Sequence, residues 1–153
     1  MAVPLWHADN WRLRGHFMSQ ELKILIIEDV PRDAEAIVCA LQNESLRFQA
    51  RRVETGEAFL AELKSFAPDI VLSDFTLPEF DALQALRLLQ EHQYDIPFIL
   101  VTGTRSEEVA VECLREGADD YILKASLKQL LVPTQSGFGS HLFPFCFLFL
   151  QDI

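Results

Sequence analysis

An α/β fold built on a five-stranded parallel sheet is what this sequence predicts, and three observations predict it. From Leu22 onward, short apolar runs alternate with helix-spaced apolar positions five times, the pattern of strand and helix units that feed a parallel sheet. The run Ile70-Val71-Leu72, bounded by Pro68 and Pro78, is apolar without alternation, as a strand covered on both faces must be. Polar groups suited to chemistry then stand where strands stop: Glu28 and Asp29 after the first, Asp74 after the third, Thr102 after the fourth and Lys124 after the fifth.

Each element has its own justification. Leu22 to Ile27 forms the first strand. Pro31 suits a first helical turn, where its missing N–H costs nothing, and Ala34, Ile37, Val38 and Leu41 recur at helical spacing, giving a helix over 31–43. Arg47 to Val53 is a second, more polar strand and belongs at a sheet edge. Thr55 N-caps a second helix whose Phe59, Leu63 and Phe66 make one apolar stripe before Pro68 stops it. The third strand follows over 69–73, and Asp81 caps a third helix with Ala82, Ala85, Leu86 and Leu89 facing inward. Pro97 to Val101 is the fourth strand, ending at Thr102-Gly103. Ser106 caps a fourth helix, with Glu107 and Glu108 near its positive end and Gly117 as a left-handed stop. Asp119 to Leu123 is the fifth strand, and Ser126 opens a last helix that Pro133 ends after about two turns.

The organised region therefore runs over 21–132, with an extension at 1–20 and an atypical tail at 133–153. In that tail Phe143, Phe145, Phe147 and Phe149 recur at every second position, which is strand spacing. A shortened last helix would leave apolar sheet surface bare, and the tail offers area to cover it or to recruit another copy; self-association through the C-terminal region is expected.

Net charge is −10, with 23 acidic against 13 basic residues and no Lys/Arg cluster, which excludes a generalised nucleic-acid surface. Cys39, Cys113 and Cys146 are far apart and form no CxxC pair, so a reduced, cytoplasmic protein is expected. The histidines, at 7, 16, 92 and 141, show no metal-ligand spacing. No secretory segment is visible, and no apolar run approaches the ~20 residues a membrane helix needs, so no membrane partner is expected.

In open parallel sheets, ligands collect outside the carboxyl ends of the strands. If the order is 2-1-3-4-5, the first and third strands are neighbours and their carboxylates converge. Three carboxylates brought together need a counter-charge, and oxygen ligands without Cys or His select a hard cation such as Mg²⁺. Lys124 adds a fixed positive charge and Thr102 a hydroxyl, both suited to phosphoryl oxygens. The set reads as a phosphoryl-transfer centre with Asp74 as nucleophile. Taken singly, each residue has a plainer role: Glu28-Asp29 a solvated helix start, Thr102 a turn residue, Lys124 a surface charge or a partner for Asp119 or Asp120.

Residues 21–132 resemble the receiver domain of two-component response regulators. The resemblance rests on the acidic pair in IIEDV, the acceptor segment LSDFTLPEFDAL, the VTGT segment and GADDYILK. It implies a flavodoxin-like, doubly wound sheet of order 2-1-3-4-5, and Mg²⁺ held by Asp29, Asp74 and the main-chain carbonyl of Thr76, with Glu28 as the second acidic residue. It also implies that Asp74 accepts a phosphoryl group from a histidine kinase or phosphotransfer domain, that Lys124 contacts that group, and that Thr102 and Tyr121 form a switch pair. Such a module is a signalling domain rather than an enzyme with a separate substrate. The chain departs from the family at Ala125, where Pro usually follows the lysine, at Leu77 and Ala82, and in its last helix and tail.

A receiver-like dimerisation or scaffold module that is never phosphorylated is the alternative, and the unusual C-terminus speaks for it. True enzymes on similar sheets fit worse. A Rossmann dehydrogenase needs a glycine-rich turn where Glu28-Asp29-Val30-Pro31 stands, and a haloacid-dehalogenase-like phosphatase needs a second Asp where Thr76 stands.

Overall fold

The structure is a computed structural model that describes residues 21–42, 47–75, 77–103 and 107–124. Strands β1 (Leu22–Ile27), β2 (Phe48–Val53), β3 (Ile70–Ser73), β4 (Phe98–Thr102) and β5 (Asp120–Leu123) form one parallel sheet of order β2-β1-β3-β4-β5. Helices α1 (Pro31–Gln42), α2 (Gly56–Ser65), α3 (Ala82–Glu91) and α4 (Glu107–Arg115) connect them. The polar strand β2 lies at the edge, as its composition requires. The expected Ser106 cap, the helix from Ser126, the position of Ala125, and the tail with its expected self-association all lie outside the described residues.

Successive side chains of a strand point to opposite faces, and here both faces are dry. Leu25, Ile27, Val71, Phe98 and Leu100 belong to one core with Phe59 and Leu63 of α2, Ala85, Leu86 and Leu89 of α3, and Cys113 of α4. Ile24, Ile26, Leu72, Ile99, Val101 and Ile122 belong to the other, with Ala34, Ile37, Ala40 and Leu41 of α1. Within α1 the apolar stripe keeps Ala34, Ile37 and Leu41 but differs from the sequence expectation at one member: Ala40 is fully buried, and Val38 only partly. Phe59 packs on Phe80 with ring centroids 5.5 Å apart, and burial of such a side chain contributes roughly 1.5–3 kcal/mol.

The helix ends are set locally. Thr55 Oγ1 accepts the Ala58 N–H at 3.2 Å. Asp81 Oδ1 accepts the Gln84 N–H at 2.8 Å while Gln84 Oε1 accepts the Asp81 N–H at 3.1 Å, closing a capping box. After α4 the chain turns at Gly117, whose φ of +112° suits glycine, and the Ala118 N–H returns to the Cys113 carbonyl at 2.9 Å.

At the amino ends of the strands, two aspartates act alike. Asp69 accepts the Lys23 N–H at 2.8 Å and gives its own N–H to the Lys23 carbonyl at 2.8 Å. Asp119 accepts the Phe98 N–H at 2.7 Å and gives its N–H to the Phe98 carbonyl at 2.8 Å. Burial pushes the Asp119 carboxyl above its ordinary value although the Phe98 N–H opposes this.

Candidate functional site

The opposite rim gathers the charged residues. Register places Ile27 beside Ser73, and the Asp74 N–H donates to the Ile27 carbonyl at 2.9 Å, so Glu28 and Asp74 leave adjacent strands together. Ser73 Oγ donates to the Asp74 carbonyl at 2.8 Å, fixing the backbone at Asp74. Glu28, Asp29 and Asp74 each offer a carboxylate oxygen, and these lie within 4.8 Å of one another. Lys124 follows β5, two strands away from β3, yet its side chain reaches this cluster.

Lys124 Nζ donates to three carboxylates: Glu28 Oε2 at 2.8 Å, Asp74 Oδ2 at 2.8 Å and Asp33 Oδ2 at 2.7 Å. The second oxygens of Glu28 and Asp74 are held by backbone: Glu28 Oε1 accepts the Val30 N–H at 3.1 Å and Asp74 Oδ1 the Phe75 N–H at 2.7 Å. Each of these two carboxylates is therefore clamped at one oxygen and paired at the other. Side-chain exposure is 0 % at Glu28, 13 % at Asp74, 18 % at Lys124 and 39 % at Asp33, so the ammonium bridges from the interior toward solvent.

Burial raises the Glu28 carboxyl above its ordinary value, with Asp74 adding to the effect and the Lys124 and Val30 bonds opposing it. For Lys124, burial acts against the charged form, but the bonds to Asp33, Asp74 and Glu28 outweigh it and hold the amine above its ordinary value. The ammonium stays charged. Lys124 thus pairs with the rim carboxylates, and the plainer reading as a partner for Asp119 or Asp120 does not hold.

Four of the expected site residues, Glu28, Asp29, Asp74 and Lys124, converge. Thr102 ends β4, nearly fully buried, opposite Leu123 in the β5 register. Tyr121 is exposed on β5. Thr76 lies outside the described residues. Sequence reasoning missed Asp33, in the first turn of α1, and Arg52 of edge strand β2. Arg52 Nη1 donates to the Glu28 carbonyl at 2.9 Å, bracing the backbone of the acidic pair, and pairs with Glu54 at 3.3 Å. The spacing Glu28-Asp29-Val30-Pro31-Arg32-Asp33 was the available signal, since a proline-started helix places its third residue back over the strand end.

A family model for the response regulator receiver domain matches residues 24–134. The chain belongs to the response regulator receiver domain family. Among curated relatives of this receiver domain, regulatory protein AtoC of Escherichia coli (strain K12) is 33% identical over 102 residues, covering 67% of this chain and 22% of the relative. The phosphate regulon transcriptional regulatory protein PhoB of Klebsiella pneumoniae is 34% identical over 104 residues, 67% of this chain and 44% of PhoB. The chain thus spans less than half the length of these relatives. Among solved structures, the BeF3-activated N-terminal receiver domain of Klebsiella pneumoniae RstA is 30% identical, with a TM-score of 0.60 over 71% of this chain and 94% of that one. The phosphorylated cyanobacterial phytochrome response regulator RcpA is 26% identical, with a TM-score of 0.62 over 72% of this chain and 86% of that one. No helix among the described residues is long and apolar enough to cross a membrane.

The donor set fits a divalent ion of the hard class. Its carboxylates are close enough to share one ion, they contain no sulfur or imidazole, and two are already oriented by backbone N–H groups.

Proposed function

We propose that this receiver domain is a phospho-acceptor, with Asp74 taking a phosphoryl group from a histidine kinase or phosphotransfer domain. The observation that carries the reading is the convergence of Glu28, Asp29 and Asp74 with the Lys124 ammonium 2.8 Å from the Asp74 oxygen. An Asp74 oxygen forms the new P–O bond, the P–N bond of the phosphohistidine donor breaks, and the imidazole nitrogen keeps the electron pair. The product is an acyl phosphate. Glu28, Asp29, Asp74 and the Thr76 main-chain carbonyl would hold Mg²⁺, which when bound supplies positive charge against the phosphoryl oxygens.

The chain's own contributions are orientation and charge. The Phe75 N–H fixes the rotation of the Asp74 carboxylate. Lys124 offers a permanent cation to the developing charge, and the Thr102 hydroxyl would donate to the phosphoryl group. Readout would then be a population shift that alters protein contacts, with Thr102 and Tyr121 as the switch pair. Helix α4 and strand β5 supply a surface for it, since Val111, Leu114 and Tyr121 are large apolar side chains left exposed. The domain would act in the cytoplasm, as a signalling module and not as an enzyme with a separate substrate.

Incubation with acetyl phosphate and Mg²⁺, followed by intact-mass measurement, tests the reading. The expected result is a gain of one phosphoryl group that is absent in Asp74→Asn. A wild-type chain that gains no mass would leave a receiver fold used only as a scaffold.

A further inference from the structure

Three carboxylates share one ammonium at this rim, and two of them have other work. Glu28 and Asp74 belong to the group of oxygens suited to a divalent ion, and Asp74 is also the proposed acceptor. Asp33 is outside that group, yet makes the shortest of the three bonds to Lys124 Nζ, at 2.7 Å. It comes from a different element, the first turn of α1, where the Asp33 N–H donates to the Val30 carbonyl at 3.0 Å and holds the turn over the acidic pair. Its side chain is the most exposed of the four in the network.

We propose that Asp33 is a positioning residue for Lys124, the carboxylate that keeps the ammonium over the acceptor when Glu28 and Asp74 are engaged elsewhere. This role rests on the phospho-acceptor reading and deepens it. With Asp33 in place, Lys124 can give up its bond to Asp74 Oδ2 and turn toward an arriving phosphoryl oxygen without becoming unpaired. Without Asp33, the ammonium has, among the described residues, only the two carboxylates that the reaction needs, so it holds them and competes for them. A carboxylate at the N-terminal turn of α1 would also interact favourably with the helix dipole, but that contribution concerns stability and does not pass through Lys124.

A double-mutant cycle separates these roles. Phosphorylation of Asp74 by acetyl phosphate is timed by intact mass, and Mg²⁺ alone is titrated by calorimetry, in the wild-type chain, Asp33→Asn, Lys124→Met and the double variant. Asp33→Asn is expected to slow phosphoryl gain by roughly 10-fold and to weaken Mg²⁺ binding by roughly 3-fold or more. Both effects should vanish in the Lys124→Met background, and Asp33→Glu should recover most of the rate. Equal effects of Asp33→Asn with and without Lys124 would mean a general field effect and would overturn the role. So would an unchanged rate in Asp33→Asn. Should Lys124→Met fail to fold, the comparison of Asn with Glu at position 33 decides: no recovery by Glu removes the proposal. Absence of mass gain in the wild-type chain strikes at the acceptor reading, and wild-type gain with an indifferent Asp33→Asn strikes at this role alone.

Discussion

Replacing Lys124 by Met removes the ammonium and keeps most of the stem's apolar contact, so it isolates charge from packing. Glu28 has no exposed surface and Asp74 little, and removing one partner of a buried pair costs roughly 3–5 kcal/mol. The bond to the more exposed Asp33 adds at most about 1 kcal/mol. Relief of the ammonium's own burial places the total near the lower figure, about 3 kcal/mol near neutral pH, or a fall in Tm on the order of 10 °C for a domain of this size. The loss must depend on pH. In the folded chain Glu28 titrates above its ordinary value of 4.5, because burial is the dominant influence. Between 4.5 and that higher value the folded state binds more protons than the unfolded state, so stability falls as pH rises through the window. Lys124→Met removes a bond that opposes the shift, so the window widens upward and the penalty shrinks on acidification from about pH 8 toward pH 5. Urea unfolding of wild type and variant at both pH values measures it. A penalty that is the same at both, or that grows toward pH 5, would refute the reasoning that Glu28 is the group left uncompensated.

Two further outcomes follow from other parts of the fold. Gly117→Ala forces a side chain onto a φ of +112° and a Cβ to 3.0 Å from Gln90 Nε2, whose amide donates to the Glu116 carbonyl; urea unfolding should show a loss of about 1–2 kcal/mol. Cys113 is fully buried with its thiol pushed up to about 11 by that burial, whereas Cys39 is exposed, so iodoacetamide at about pH 8 should alkylate Cys39 and spare Cys113 in the native protein. Peptide mass mapping checks this, and rapid labelling at Cys113 would contradict the burial.

The fold was readable because its signals are local and repeated: Pro31, Thr55, Asp81 and Gly117 each start or stop a helix by their own chemistry. Asp74 and Lys124 could be joined from sequence only because a parallel sheet puts every strand's carboxyl end on one rim. Asp33 escaped notice since an acidic residue in a first helical turn already has a sufficient reason to be there. Arg52 escaped because an arginine on a polar edge strand reads as a solvated charge, and nothing local shows that its guanidinium reaches the Glu28 carbonyl. In α1 the pattern gave Val38 where Ala40 lies deeper, since small side chains carry little weight in an apolar periodicity yet pack closest to a sheet.

Asp69 and Asp119 hook the start of one strand to the start of the next, at the rim farthest from Asp74. Alignment of β1 with β3 and of β4 with β5 is thereby anchored by groups at the rim opposite the acidic cluster. Labour is divided between two ends of one sheet: one rim keeps the ribbons from sliding, and the other is left at liberty to exchange side chains. A descendant of this chain could be altered at the carboxylate rim with its strands still in step.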